Sequence, residues 1–364
     1  MTHTNTEAVV DRLAADRVDP LDLLERARHE QVIVCRDDAT GLRAIIAVHS
    51  TRLGPALGGT RFHAYPDLGA AMDDALRLSR GMTSKAAVAR LPLGGGKAVI
   101  VGDPARLKTA ELLRAYGRFV DSLGGRYVTA ADVGTTAHDL DVIGEVTPHV
   151  VGRTRLGGGS GDSGLSTAVG VFAAMSSAAR RRWGTDGITG RLVGVEGVGK
   201  VGRHLVRLLV GAGARVVVSD PHGAAVRSVL EEVPLASAVG SVVDSDIDVY
   251  APCALGGTLT DESVMGLRAQ LVCGAANNQL ATPVVDELMT ERGISWVPDF
   301  VANAGGLIQV GGERLGHDQA TIDAGIARIG ETVDRLSALA AAHGVTPGRA
   351  ADLLVAERLS GEGG

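Results

Sequence analysis

Six residues, Gly197-Val198-Gly199-Lys200-Val201-Gly202, constrain this chain more than any other stretch. They space glycines as G-x-G-x-x-G between the apolar strand signal L-V-G-V and the apolar helix signal V-G-R-H-L-V-R-L-L-V. About twenty positions on, R-V-V-V-S-D brings Asp220 to the end of a second strand. Glycine permits a tight turn and a close approach of backbone to ligand, and a helix N-terminus offers free N–H groups to an anion. Together these features predict a doubly wound parallel sheet whose first strand–helix turn holds a dinucleotide pyrophosphate. A carboxylate at 220 accepts from a ribose 2′-hydroxyl and repels a 2′-phosphate, which favours NAD over NADP. Asp220 also suits a plain turn before Pro221.

The second concentration of signal is L-P-L-G-G-G-K-A-V-I-V-G-D-P, residues 91–104. Gly94, Gly95 and Gly96 read as a tight turn that delivers Lys97 just before an apolar strand. Ala98 replaces the hydroxyl residue that a phosphate loop requires after its lysine, so this is not a P-loop. It is either an ordinary glycine loop or a site. A lysine held among apolar residues is desolvated, and its pKa falls towards the range where it does chemistry. Lys85 lies twelve positions upstream in R-G-M-T-S-K. Two lysines in this setting suit an anionic, carbonyl-type substrate. Asp132, ending the strand Y-V-T-A-A-D, stands where open α/β sheets place ligands, although a lone Asp there also serves as a turn or cap.

At 364 residues the chain suits two domains. Its 50 glycines are about twice the ~7% average and cluster between apolar runs, as turns and ligand loops do. A net charge of −6 without a basic cluster argues against nucleic acid. No apolar run reaches the ~18 residues of a membrane span. Cys35, Cys253 and Cys273 follow no metal spacing, and an odd count fits a reducing cytoplasm. The opening M-T-H-T-N-T-E-A-V-V carries no signal-peptide pattern.

Strand signals fall at 32–35, 44–49, 97–101 and 126–130, with helices over 68–80 and from a Thr109 cap. L-G-G-G-S-G-D-S-G, residues 156–164, reads as a hinge between domains. A helix near 166–182 leads into the dinucleotide-binding part. The alanine-rich tail from about Asp318 to Arg358 reads as a pair of helices that pack back on the first domain. The expected boundaries are 1–150 for the first domain, joined by 330–364, and 151–329 for the second.

Leu91-x-x-Gly94-Gly95-Gly96-Lys97, with Asp103-Pro104, resembles the active-site signature of the glutamate/leucine/phenylalanine/valine dehydrogenases. P-A-L-G-G-T-R-F (55–62), R-G-M-T-S-K (80–85), Y-V-T-A-A-D-V-G-T (127–135), A-P-C-A-L-G-G (251–257), G-A-A-N-N-Q-L (274–280) and P-D-F-V-A-N-A-G-G (298–306) match in the same order. H-E-Q-V-I-V-C and G-P-A-L-G-G-T-R-F are most similar to the valine dehydrogenases of that group. The resemblance implies an N-terminal α/β domain for substrate and oligomerisation, a Rossmann NAD-binding domain, and a cleft between them. It implies a homo-oligomer that deaminates an apolar L-amino acid with NAD.

The resemblance also implies roles. Lys85 binds the α-carboxylate, Lys97 activates water, and Asp132 shuttles protons. Gly58 and Gly59 admit the amino acid close to the backbone. Asn277 holds substrate and nicotinamide ribose, and Thr167 meets the nicotinamide amide. Ala130, Val301, Ala304 and Leu307 suggest an aliphatic side-chain pocket, which separates side chains by only ~1–3 kcal/mol per methylene. Valine, leucine and isoleucine are therefore the expected substrates, with phenylalanine as the alternative. Three positions depart from the pattern: Ser84, where relatives carry an aromatic; Glu196, a carboxylate expected to disfavour NAD; and G-G-E-R-L-G (311–316), an altered acidic turn. A non-catalytic NAD-binding regulator is the rival from another class.

Overall fold

The computed structural model describes residues 28–361. A five-stranded mixed sheet comes first: β1 (Gln31–Asp37), β2 (Leu42–Ser50), β3 (Ala56–His63), β4 (Gly94–Val101) and β5 (Tyr127–Ala131), in the order β1-β2-β4-β3-β5. β2 runs antiparallel to both β1 and β4, while β3 runs parallel to β4 and β5. Ala44 to Val48 of β2 are buried without a break. Such a run suits a strand covered on both faces. The helix Leu68–Val88 packs against β2 and β4, and the helix Ala110–Asp121, capped by Thr109, also packs against β2.

The second sheet is wholly parallel: β6 (Leu192–Glu196), β7 (Arg215–Ser219), β8 (Ala236–Ala238), β9 (Val249–Pro252), β10 (Leu271–Val272) and β11 (Ser295–Trp296). Its order is β11-β10-β9-β6-β7-β8. Strand order reverses beside β6, so the turn after Glu196 opens at the switch point where such sheets bind ligands. This is the α/β class with the doubly wound sheet that the glycine fingerprint predicts.

Three elements differ from the sequence reading. The helix expected over 68–80 continues to Val88, because Ser79, Thr83, Ala86 and Ala87 keep a buried stripe at helical spacing; Lys85 therefore sits in its last turn. Gly94, Gly95 and Gly96 are the first residues of β4 rather than a loop before it. Their φ angles are not positive. What demands glycine is space: a Cβ at Gly94 would lie 2.0 Å from the Ser50 carbonyl oxygen, and one at Gly95 2.1 Å from the Thr83 nitrogen. The tail forms three helices, Gln319–Ala327, Ile329–His343 and Pro347–Ser360, because Arg328 and the left-handed Gly344 interrupt it. Helix Pro347–Ser360 packs on helix Leu68–Val88, and Ile329–His343 packs on the helix Gly164–Trp183. No helix among the described residues is long and apolar enough to cross a membrane.

Candidate active site

Lys97 projects from β4 and is only 6% exposed. Its Nζ lies 2.6 Å from Oδ2 of Asp132, the residue that follows β5. Arg61 of β3 donates from Nε to the same oxygen at 3.0 Å. Burial pushes the lysine below its ordinary pKa, with Asp132 opposing. Burial alone would raise the Asp132 carboxyl, but Lys97 and Arg61 outweigh it and hold the group below the usual carboxylate range. The result is a buried lysine held below its ordinary pKa beside a carboxylate held below its own.

Lys85 approaches from the end of its helix. Its Nζ donates to Asn277 Oδ1 at 3.1 Å, a bond that joins the first sheet's helix to the loop after β10. Asn303 donates to the same oxygen at 2.8 Å, and its own Oδ1 is buried with no partner among the described residues. Burial lowers the Lys85 pKa to about 8; Lys97 adds to this, while Asp299 and Asp132 oppose it. Asp299 is pushed up by burial, only partly offset by the Asn278 N–H and by Lys85.

Gly58 and Gly59 lie buried within β3. A Cβ at Gly58 would stand 1.7 Å from the Gly96 carbonyl oxygen, and one at Gly59 2.9 Å from the Asp132 Cβ. Both glycines thus bring β3 hard against the strands that carry Lys97 and Asp132. Ala130, Val301, Ala304 and Leu307 fall within one contiguous apolar cluster. Ser84 is half-buried beside Lys85 on its helix.

The glycine turn fits a dinucleotide. Gly197 has φ 91°, and a Cβ at Gly202 would sit 1.9 Å from the Gly197 carbonyl oxygen, so these two close the turn. A Cβ on Gly199 would meet nothing within 4 Å beyond its own chain neighbours, so this side of the turn is open to a pyrophosphate. Asp220, following β7, accepts from the Val198 N–H at 2.9 Å and the His222 N–H at 2.8 Å. It therefore closes the turn as well as presenting a carboxylate. Lys200 is exposed and pairs with Asp162 at 3.2 Å, tying the turn to the glycine-rich linker. Val201 precedes the helix Gly202–Gly211. Thr167 lies in the first turn of helix Gly164–Trp183 and donates to the Ser163 carbonyl at 2.9 Å. Glu196 accepts a hydrogen bond from the Tyr250 hydroxyl, so the unexpected carboxylate has a partner within the sheet.

Sequence reasoning passed over Arg61, Asp74 and Asn303. Arg61 carried a legible signal, a charge inside a mostly buried strand. The segment 311–316, read as an altered acidic turn, is instead the end of the helix Gly305–Leu315 with Gly316 as its left-handed cap, and its Glu313 accepts from the Gly152 and Ser160 N–H groups, a contact of the linker with a distant helix.

Residues 29–149 match the Glu/Leu/Phe/Val dehydrogenase dimerisation domain, and residues 228–323 match the Glutamate/Leucine/Phenylalanine/Valine dehydrogenase domain. The valine dehydrogenase of Streptomyces albus is 50% identical over 95% of this chain and 96% of its own length. The leucine dehydrogenase of Bacillus cereus is 43% identical over 93% of each. The crystal structure of L-tryptophan dehydrogenase from Nostoc punctiforme, 40% identical, superposes with a TM-score of 0.81 over 94% of this chain and 98% of that one. A paired lysine and carboxylate, a dinucleotide turn and these likenesses agree: the chain belongs to the glutamate/leucine/phenylalanine/valine dehydrogenase family and is an amino acid dehydrogenase.

Proposed function

We propose that this enzyme carries out reversible, NAD-dependent oxidative deamination of a small apolar L-amino acid, valine foremost with leucine and isoleucine, to the 2-oxoacid and ammonia. The observation that carries this reading is the buried Lys97–Asp132 pair at 2.6 Å. The names of the Streptomyces and Bacillus relatives support the side-chain class.

Lys85 holds the substrate α-carboxylate, and Asn277 steadies that lysine and the nicotinamide ribose. The residues suited to the dinucleotide are Gly197 to Gly202, Asp220, Asn277 and Thr167; when bound, the nicotinamide accepts the hydride from the substrate Cα. Once the substrate ammonium has given a proton to Asp132, loss of hydride from Cα leaves an iminium. Lys97, its proton loosened by burial, takes a proton from the water that attacks the iminium carbon. The resulting ammonium stabilises the carbinolamine. Asp132, ionised at rest, relays the proton that Lys97 took from water to the amine nitrogen; as the C–N bond breaks, the carbinolamine hydroxyl gives its proton back to Asp132, so that ammonia leaves and the 2-oxoacid remains. Ala130, Val301 and Leu307 enclose the side chain, and Gly58 and Gly59 admit the substrate backbone. Asp220 selects NAD against NADP.

The first domain spans 1–150 with 330–364, of which 1–27 and 362–364 lie outside the described residues, the cofactor domain spans 151–329, and the enzyme works as a cytoplasmic homo-oligomer. The dimerisation-domain match over 29–149 supports the assembly.

The test is the full-length protein given NAD or NADP and a panel of L-amino acids, followed by nicotinamide absorbance. Turnover is expected with NAD on valine, leucine and isoleucine. Lys97→Ala should lose roughly 100-fold or more of kcat while keeping NAD affinity. No turnover on any amino acid despite NAD binding would sink the reaction. A preference for phenylalanine or tryptophan would overturn the substrate assignment, and one for NADP the cofactor assignment.

A further inference from the structure

Asp132 carries a second cation that the deamination chemistry does not require. Lys97 already pairs with it, yet Arg61 Nε converges on the same Oδ2. Arg61 is itself held from behind. Its Nη1 donates to Asp74 Oδ2 at 2.8 Å, and the Tyr65 hydroxyl donates to that same oxygen at 2.7 Å. The other Asp74 oxygen takes Arg77 Nη2 at 2.7 Å. Charges thus alternate from the site outward: Lys97, Asp132, Arg61, Asp74, Arg77. The side chains of Arg61, Asp74 and Asp132 are 23%, 14% and 22% exposed, so water screens them little. Only Arg77, at 55%, is open to solvent.

We propose that Arg61 is a positioning residue that fixes the Asp132 carboxylate, and that Arg61 and Asp74 act as opposed charges setting the pH range in which Lys97 works. This rests on the roles given above to Lys97 and Asp132. Arg61 reaches Asp132 through one guanidinium edge and Asp74 through another, so its planar fork ties β3 to both the end of β5 and the helix Leu68–Val88. The groups that bear on Lys97 are Asp132, Arg61, Asp74 and Lys85, with Asp299 facing Lys85, Tyr127 behind Asp132 and Tyr65 on Asp74. Arg61 disfavours the proton on Lys97, and Asp74 favours it. Their removal must therefore move the activity profile in opposite directions.

The experiment measures kcat against pH for L-valine deamination at saturating NAD in the wild-type chain and in Arg61→Gln, Arg61→Lys and Asp74→Asn. The limb that rises as Lys97 loses its proton is followed, together with melting temperature and NAD affinity. Arg61→Gln should lower kcat roughly 100-fold and carry the limb upward by about one pH unit. Arg61→Lys should keep the limb in place while lowering kcat, because its charge remains and its fork is gone. Asp74→Asn should move the limb downward. An unmoved limb in Arg61→Gln, or shifts of the same sign in Arg61→Gln and Asp74→Asn, would overturn the proposal. Should Arg61→Gln fail to fold, an unmoved limb in Asp74→Asn overturns it. A wild-type chain inactive on every amino acid would instead defeat the deamination reading on which this role depends.

Discussion

Lys85 and Lys97 are the same residue type doing different work because their surroundings differ. Lys97 is enclosed and paired with a carboxylate, whereas Lys85 is half-buried, bonded to a neutral amide and near a second cation. Burial brings Lys85 to about 8, which makes its charge titratable in the working range. A carboxylate anchor needs that charge. In the role proposed for it, Lys85 holds the substrate below about 8, where it is a cation, and loses that hold above, where it is neutral. The expected outcome is a kcat/KM for L-valine that declines as pH rises through about 8, read from initial rates across that range. Lys85→Ala should lower kcat/KM throughout and remove this decline. A decline that persists in Lys85→Ala would assign it to another group.

Among the elements, β4 shows why three glycines precede a lysine. They are not needed for a turn; they let the strand lie against Ser50, Thr83 and the Tyr127 ring with no side chain between. Close packing of this kind tolerates no added carbon. Gly95→Ala should destabilise the fold by about 1–3 kcal/mol, seen as a lower melting temperature. Gly211, the last residue of helix Gly202–Gly211, has nothing within 4 Å of its missing Cβ. Gly211→Ala should instead raise stability by about 0.4–1 kcal/mol, by removing freedom from the unfolded chain. Equal melting temperatures for the two variants would refute the packing account of β4. The apolar runs of β2 and β7 were legible because a strand covered on both faces must be apolar throughout. The end of helix Leu68–Val88 was not, since R-G-M-T-S-K carries a glycine and two charges that read as a stop.

At the scale of the whole molecule, the two halves share a contiguous apolar cluster, to which a few polar contacts and one anchored linker are added. Lys85–Asn277 spans them directly. Glu313 holds the linker from helix Gly305–Leu315, accepting from Gly152 at 3.1 Å and Ser160 at 2.8 Å. Linkers that govern domain closure change kcat and KM together when altered. Glu313→Ala frees three N–H···carboxylate contacts, and is expected to raise the KM for valine and lower kcat in steady-state assays. A loss of melting temperature with unchanged kinetics would restrict Glu313 to a structural role.

The glycine turn and the parallel sheet behind it were determined by the sequence, through local spacing: glycines at fixed offsets and an acid one strand later. Lys85, Lys97 and Asp132 were singled out as candidates, with spacing leaving a loop lysine and a turn aspartate open and the family resemblance supplying their roles. The tertiary structure decided what those residues meet. Arg61 and Lys97 share an oxygen of Asp132, Asn303 donates to Asn277, and the Tyr250 hydroxyl donates to the carboxylate of Glu196. These partners lie 26 to 71 positions apart in the chain. Spacing rules end where a helix or strand ends, whereas charge and burial act through space. The pKa of each lysine was therefore settled only when the sheets came together.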